Sequence, residues 1–320
     1  MRQARNRPIK RKNQKDSRVT EYYRFRDFWA PAFWPTWLGI AGLHLMAWLP
    51  VGLRLVISRA LAALLYRLVA SRRKVAHTNI RLCFPELDAP AQQRLVREVF
   101  YANILNFFET AQAWCRPKPR MALQLDGLEH LDQARATGRG VILLGGHFGP
   151  LDIAGSLFIE HFEYSLVYRK DDNPLFNYFM TRARERYSTA TIARKDMKGL
   201  LRTLKRGGTV WYAPDQDYGP KASVFVPFFG VPTATITMTS KLAQAGNALV
   251  LPISAYRRAD GRGFVVTIEA PLAIPSGDEV ADARTINAWL ERRIREHPEQ
   301  YLWLHKRFKT RPEGEPSLYQ

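Results

Sequence analysis

Cysteine is nearly absent. The 320 residues contain two, Cys83 and Cys115, too few for a disulfide framework or, by themselves, a four-ligand zinc site, and this favours a reducing compartment. Acidic residues are also scarce, 29 Asp and Glu against 48 Lys and Arg, which gives a formal net charge of +19. The 46% hydrophobic content excludes a disordered polar chain and suffices for the core of one large domain or two small ones. Charged residues are missing altogether from residues 28–53, where His44 is the sole ionisable side chain. There is no repeat of fixed period, no low-complexity tract beyond the N-terminus and no RNA- or DNA-binding motif. A Gly-x-Ser-x-Gly elbow, the signature of one class of acyl-enzyme chemistry, is lacking as well.

What is present begins with a basic tail, residues 1–27, holding ten Lys and Arg within its first 26 positions against Asp16 and Glu21. A basic surface attracts phosphates of nucleic acid, of anionic lipid or of an acidic carrier protein, and charge alone does not choose among them. The uncharged stretch that follows carries Trp29, Trp34, Trp37 and Trp48, side chains that settle at a lipid–water interface. Its 26 residues are long enough to cross a bilayer, since about 20 suffice in a helix. Pro31, Pro35 and Pro50 leave only residues 36–49 uninterrupted, so a tilted span, a kinked span, a monotopic hairpin and a buried core helix all stay open. Leu53 to Val69 continues as an amphipathic helix with Arg54, Arg59 and Arg67 interspersed. Residues 28–75 are therefore taken as a membrane-anchoring segment and 76–320 as the body. Both flanks are basic, which leaves the orientation unset, and no small-residue cleavage site marks a removable leader.

In the body, residues 89–114 have helical periodicity. Short apolar runs then appear at Val141–Leu144, Tyr164–Tyr168, Thr209–Ala213, Leu249–Ile253 and Phe264–Glu269, with helical segments near 151–160, 174–187, 196–206, 236–246 and 283–297. This alternation predicts an α/β fold, a central mixed, mainly parallel β-sheet flanked by helices. In such sheets the chemistry gathers at the carboxyl ends of strands. Gly145 to Asp152 follows the first run, Arg169 to Asp172 the second and Pro214 to Gly219 the third.

His147 lies in the turn after the first run, and Pro150 suits the first position of the next helix with Gly149 as its cap. Asp152 then falls in that helix's first turn, where its carboxylate is expected to fold back on the imidazole. A carboxylate on one ring nitrogen fixes the tautomer and leaves the other to take a proton from a hydroxyl. Asp152 as a complement to the helix dipole, with His147 an ordinary turn residue, is the plainer alternative. Gly146 and Gly149 favour the functional one, because they allow a substrate to approach closely.

The His147-x4-Asp152 pattern after a glycine pair resembles the signature of the glycerolipid acyltransferase superfamily. Further anchors run in order along nearly the whole chain: Trp37–Ile40, Asn79–Glu86, Val167–Arg169, Arg194–Gly199, Trp211–Gly219, Ala222–Pro227, Glu299–His305 and Lys309–Gly314. Together they resemble the late acyltransferases of lipid A biosynthesis, most of all the lauroyltransferase branch, although that branch often has Glu at the position of Asp152.

The resemblance implies transfer of a fatty acyl group, lauroyl by likeness, from acyl carrier protein to a hydroxyl on the Kdo-bearing tetraacyl lipid A precursor. His147 is the implied base and Asp152 its orienting acid. No cofactor and no metal are implied; the carrier thioester is the co-substrate. Arg169 resembles a superfamily arginine taken to bind a phosphate or to steady the active site, with a solvated strand-end charge as the plainer alternative. Asp215 and Asp217 either arrange the sugar head group or hold their loop through Asx turns. Phe228–Pro232, with Thr233, Thr235 and Thr237, resembles a loop closing one side of the cleft, and its apolar residues suit a core equally well. Lys195, Lys198, Arg202, Lys205 and Arg206, with Lys306, Arg307, Lys309 and Arg311, read singly as solvated charges; collectively they suit two acidic partners implied by the family, the carrier protein and anionic lipids of the inner membrane, and nucleic acid is not expected. The active site is expected to face the cytoplasm. The rivals are an acyltransferase of a lysophospholipid or a phosphatidylinositol mannoside, and an inert basic membrane-binding protein.

Overall fold

A computed structural model describes residues 25–118 and 121–319; most of the basic tail, residues 1–24, lies outside them. Four helices come first, α1 (Trp34–Ala47), α2 (Val51–Leu68), α3 (Ala70–Cys83) and α4 (Ala89–Cys115). Asp88 starts α4 by accepting from the Ala91 amide, with Pro90 in the first turn. The body then alternates: β1 (Ala122–Asp126), α5 (Leu128–Ala136), β2 (Gly140–Leu144), α6 (Leu151–Phe158), β3 (Ser165–Tyr168), α7 (Pro174–Arg184), β4 (Ala190–Ala193), α8 (Met197–Lys205) and β5 (Thr209–Tyr212). It closes with β6 (Ser223–Phe228), β7 (Val231–Ile236), α9 (Met238–Gly246), β8 (Ala248–Arg257), β9 (Gly263–Ile268) and α10 (Glu279–Glu296).

Seven strands form one sheet in the order β1-β9-β8-β2-β5-β3-β4. Only β8 and β9 pair antiparallel; every other neighbour is parallel, which matches the mixed, mainly parallel sheet expected. Every residue of β2 is buried, because both faces of the sheet are covered. Alternate β2 side chains enter different cores. Ile142 and Leu144 pack with residues of α3, α4, α8, α9 and α10, while Val141 and Leu143 pack with residues of α1, α5, α6 and α7.

The 228–237 segment, expected as a loop, is half of a separate hairpin, β6 with β7. Its two turn residues, Phe229 and Gly230, both have positive φ, the backbone of a type I′ turn. Phe229 lacks the usual Asn or Asp signal and holds this conformation by burial and by donating its amide to Glu291 Oε1 at 2.8 Å.

Among the described residues no helix is long and apolar enough to cross a membrane. Helix α1 has 14 residues, about 21 Å at a rise of about 1.5 Å against a hydrocarbon core of about 30 Å. It is not a core helix either. Ile40, Leu43 and Ala47 are buried on one side, whereas Trp34, Leu38, Leu45 and Trp48 are 62–78% exposed. Arg54 of α2 is buried and donates to Gln112 of α4 at 2.7 Å, which ties the N-terminal helices to the body.

Candidate active site

Strand β2 ends at Leu144, and residues 145–150 turn from it into α6. The Gly145 amide donates to the Tyr212 carbonyl at 2.9 Å, which fixes the start of the turn to the end of the neighbouring β5. Helix α6 begins at Leu151 with Pro150 as its cap, one residue later than the sequence suggested. Asp152 is in its first turn as expected.

The acid that meets His147 is Asp215, from the loop after β5. Asp215 Oδ1 lies 2.5 Å from His147 Nδ1, and Oδ2 accepts the His147 amide at 2.7 Å and the Tyr301 hydroxyl at 2.9 Å. Burial alone would raise the Asp215 carboxyl, but the charge and bonds of His147 and the Tyr301 hydroxyl outweigh it and bring the pKa down to about 2. Burial likewise pulls His147 down, and the opposed charge of Asp215 with its hydrogen bond carries the imidazole above its ordinary value. The His147 side chain is 26% exposed and that of Asp215 1%. Nε2 of His147 has no hydrogen-bond partner among the described residues.

Asp152 does not fold back on His147. Its carboxylate is held bidentate by Arg184 at the end of α7, Nε to Oδ1 at 2.8 Å and Nη2 to Oδ2 at 2.9 Å, and Oδ1 also accepts the Tyr187 hydroxyl at 2.5 Å. Burial opposes the charge, yet Arg184 and then Tyr187 keep the carboxyl below its ordinary value. Arg184 escaped the sequence reading; its only signal was that a buried acid needs a cation.

His147, Asp152 and Arg184 all line one cavity of about 260 Å³. The remaining wall is largely apolar, with Phe158, Leu166, Trp211, Ile253 and Ala255. Gly146 and Arg169 also line it; the Arg169 side chain is 68% exposed and lies 3.8 Å from Asp172. Gly149 serves the protein's own packing, since a Cβ there would lie 2.3 Å from Asn106 Oδ1.

Asp217 holds its loop, accepting from the amides of Gly219 (2.8 Å) and Thr310 (2.7 Å) and from the Thr310 hydroxyl (2.8 Å). Lys195 is exposed after β4 and is not a lining residue of the cavity. Lys198, Arg202, Lys205 and Arg206 are exposed on and after α8. Arg307 is different, being buried and bonded to the Ala234 carbonyl (2.8 Å) and the Thr235 hydroxyl (3.2 Å), and so it braces β7. Arg311 donates to the Pro232 carbonyl at 2.7 Å. Among the described residues no three His, Cys, Asp or Glu side chains are grouped to hold a metal ion.

The polar groups follow the order of the parallel strands. Along their carboxyl ends lie Arg257 on β8, His147 after β2, Asp215 after β5, Arg169 after β3 and Arg194 after β4. The Arg194 amide donates to the Tyr168 carbonyl at 2.8 Å, which sets Arg194 beside Arg169.

Residues 24–310 match the family described as bacterial lipid A biosynthesis acyltransferase. The chain belongs to that family. It is 40% identical to the lipid A biosynthesis lauroyltransferase of Escherichia coli (strain K12), over 90% of this chain and 96% of the relative. The palmitoleoyltransferase of the same organism is 36% identical, covering 92% and 97%, and its myristoyltransferase 30% identical, covering 92% and 93%. The lipid A acyltransferases thus include relatives named for three different acyl groups, so membership supports an acyltransferase and does not by itself fix the chain length.

Proposed function

We propose that the chain transfers a fatty acyl group from acyl carrier protein to a hydroxyl on an acyl chain of the Kdo-bearing tetraacyl lipid A precursor, with His147 as general base. The bond from Nδ1 to Asp215 carries this conclusion, because it leaves Nε2 as the basic nitrogen of a residue that lines an apolar cavity. Nε2 takes the hydroxyl proton as the oxygen attacks the thioester carbonyl. The C–S bond breaks, and the departing sulfur recovers the proton from the imidazolium, leaving an ester and the free carrier thiol. Asp215 fixes the tautomer and stabilises the imidazolium. No cofactor enters, and the carrier thioester is the second substrate.

The apolar wall suits the acyl chain, and lauroyl is favoured by the greater identity to the lauroyltransferase than to the myristoyl and palmitoleoyl enzymes. Arg169, with Arg194 and Lys195 in the loop after the neighbouring β4, suits phosphates of the acceptor sugar. Asp152 and Arg184 place a buried ion pair in the cavity wall. Mass spectrometry of lipid A from a strain lacking the gene tests the assignment. One secondary acyl chain should disappear and return with the plasmid-borne gene; an unchanged pattern in a strain without a redundant enzyme would overturn it.

The exposed apolar side chains of α1 and α2 suit shallow insertion at the cytoplasmic face of the inner membrane, with nearby exposed Arg59, Arg67 and Arg72 against anionic head groups. Exchanging Leu38, Leu45 and Val56 for Asn removes three of these side chains. At about 1.5 to 3 kcal/mol per large apolar side chain fully buried, vesicle sedimentation should show at least about a tenfold loss of binding to anionic liposomes. Binding equal to that of the parent protein would exclude this face as the membrane contact.

A further inference from the structure

The back of the His147 turn is gripped by one buried ion pair. Arg257, the last residue of β8, presents Nε and Nη2 to the two carboxylate oxygens of Glu109 on α4, at 2.5 and 2.8 Å. Both side chains are at most 6% exposed. Nη2 also donates to Asn106 Oδ1, and the Asn106 amide fills the space that a Cβ on Gly149 would need. The backbone of Arg257 is engaged as well, its amide donating to Gln300 Oε1 at 2.8 Å and its carbonyl accepting from Gln300 Nε2 at 3.1 Å. The Gln300 carbonyl in turn accepts the Gly149 amide at 2.7 Å. Phe148 bridges Tyr301, the residue whose hydroxyl holds Asp215.

A buried ion pair contributes little to stability beyond what an apolar pair of the same volume supplies. What an apolar pair lacks is direction, and here the fork of Arg257 fixes Asn106 on one side of Gly149 while its backbone fixes Gln300 on the other. Arg257 is not a lining residue of the cavity. We propose that Arg257, locked by Glu109, is a positioning residue that sets the His147 turn through Asn106 and Gln300. The inference rests on the reading of His147 as the base, because a displacement of about 1 Å in a reacting group costs about a hundredfold in rate.

The test uses two variants of the full-length protein in detergent, assayed with acyl carrier thioester and the lipid acceptor. Arg257→Lys keeps a cation for Glu109 but replaces the planar fork with a single ammonium. Asn106→Ala leaves the ion pair whole and removes the contact with Gly149, so its folding is not at risk. For both, kcat should fall about tenfold or more with KM for the thioester changed less than about twofold. The acid limb of the pH profile should also move to lower pH, because a displaced turn loosens the bond from His147 to Asp215. The urea midpoint of Asn106→Ala should stay near that of the parent, whereas Arg257→Lys, which leaves buried acceptors short of a donor, should lower it. Parental kcat and pH limb in both variants overturn the proposal, as does a loss of kcat with the limb unmoved, which would mark a smaller folded fraction. If His147→Ala retains full activity, the base assignment fails instead, and that result is distinct from either of these.

Discussion

Asp215→Asn should lower kcat by about 10² to 10⁴, the span for a base that has lost its orienting acid. Asn can accept and donate where Asp only accepts, so it can hold the imidazole in the tautomer that presents a proton, and not a lone pair, at Nε2. His147→Ala removes the base itself and should leave at most the same residue of activity. The pH profile separates orientation from collapse of the site. His147 must be neutral to take a proton, and Asp215 raises its pKa, so the acid limb of kcat/KM should lie above the ordinary imidazole value of about 6.5. In Asp215→Asn the raising charge is gone and burial dominates, so the limb should move down. An unchanged limb would mean that another group sets the basicity of His147.

The second large effect is on stability. Arg184→Met leaves the buried Asp152 carboxylate without its cation, held by neutral donors such as the Tyr187 hydroxyl, and stranding a buried charge costs about 3 to 5 kcal/mol. Urea denaturation should show this as a lower midpoint. Adding Asp152→Asn removes the stranded charge while keeping an acceptor for Tyr187, and most of the lost stability should return. Activity should not return with it, since both side chains line the cavity. A double variant that is stable and fully active would limit the pair to holding α6 against α7.

The strands buried on both faces announced themselves. Val141–Leu144, Thr209–Ala213 and Leu249–Ile253 read as unbroken apolar runs because helices cover both sides of them. Strand β1 alternates exposed and partly buried residues at the sheet's edge, and β4 has four residues; neither offers a run to recognise. The β6–β7 hairpin was hidden by Pro227 and Pro232, which face each other across the ladder in a two-stranded sheet where every strand is an edge and Pro is tolerated. At the site, spacing correctly put Asp152 in the first turn of α6 but misjudged its partner. Five residues along the chain fixed the acid's position on the helix, not the direction of its carboxylate, which went to Arg184 more than thirty residues away. The true neighbour of His147 was legible only as a residue at another strand's end, because adjacency of β2 and β5 is a property of sheet order. The Arg257–Glu109 pair, separated by 148 positions, left no local trace.

The order of residues along the carboxyl rim implies a division of labour that variation can exploit. Arg257, His147 and Asp215 sit on or just after β8, β2 and β5, whereas the exposed cations sit on the loops after β3 and β4 at one end of the sheet. Arg169, Arg194 and Lys195 are exposed, so their charge can change without disturbing the register of β8, β2 and β5. Exchanging these side chains between family members should therefore alter acceptor recognition more than the bond-making step.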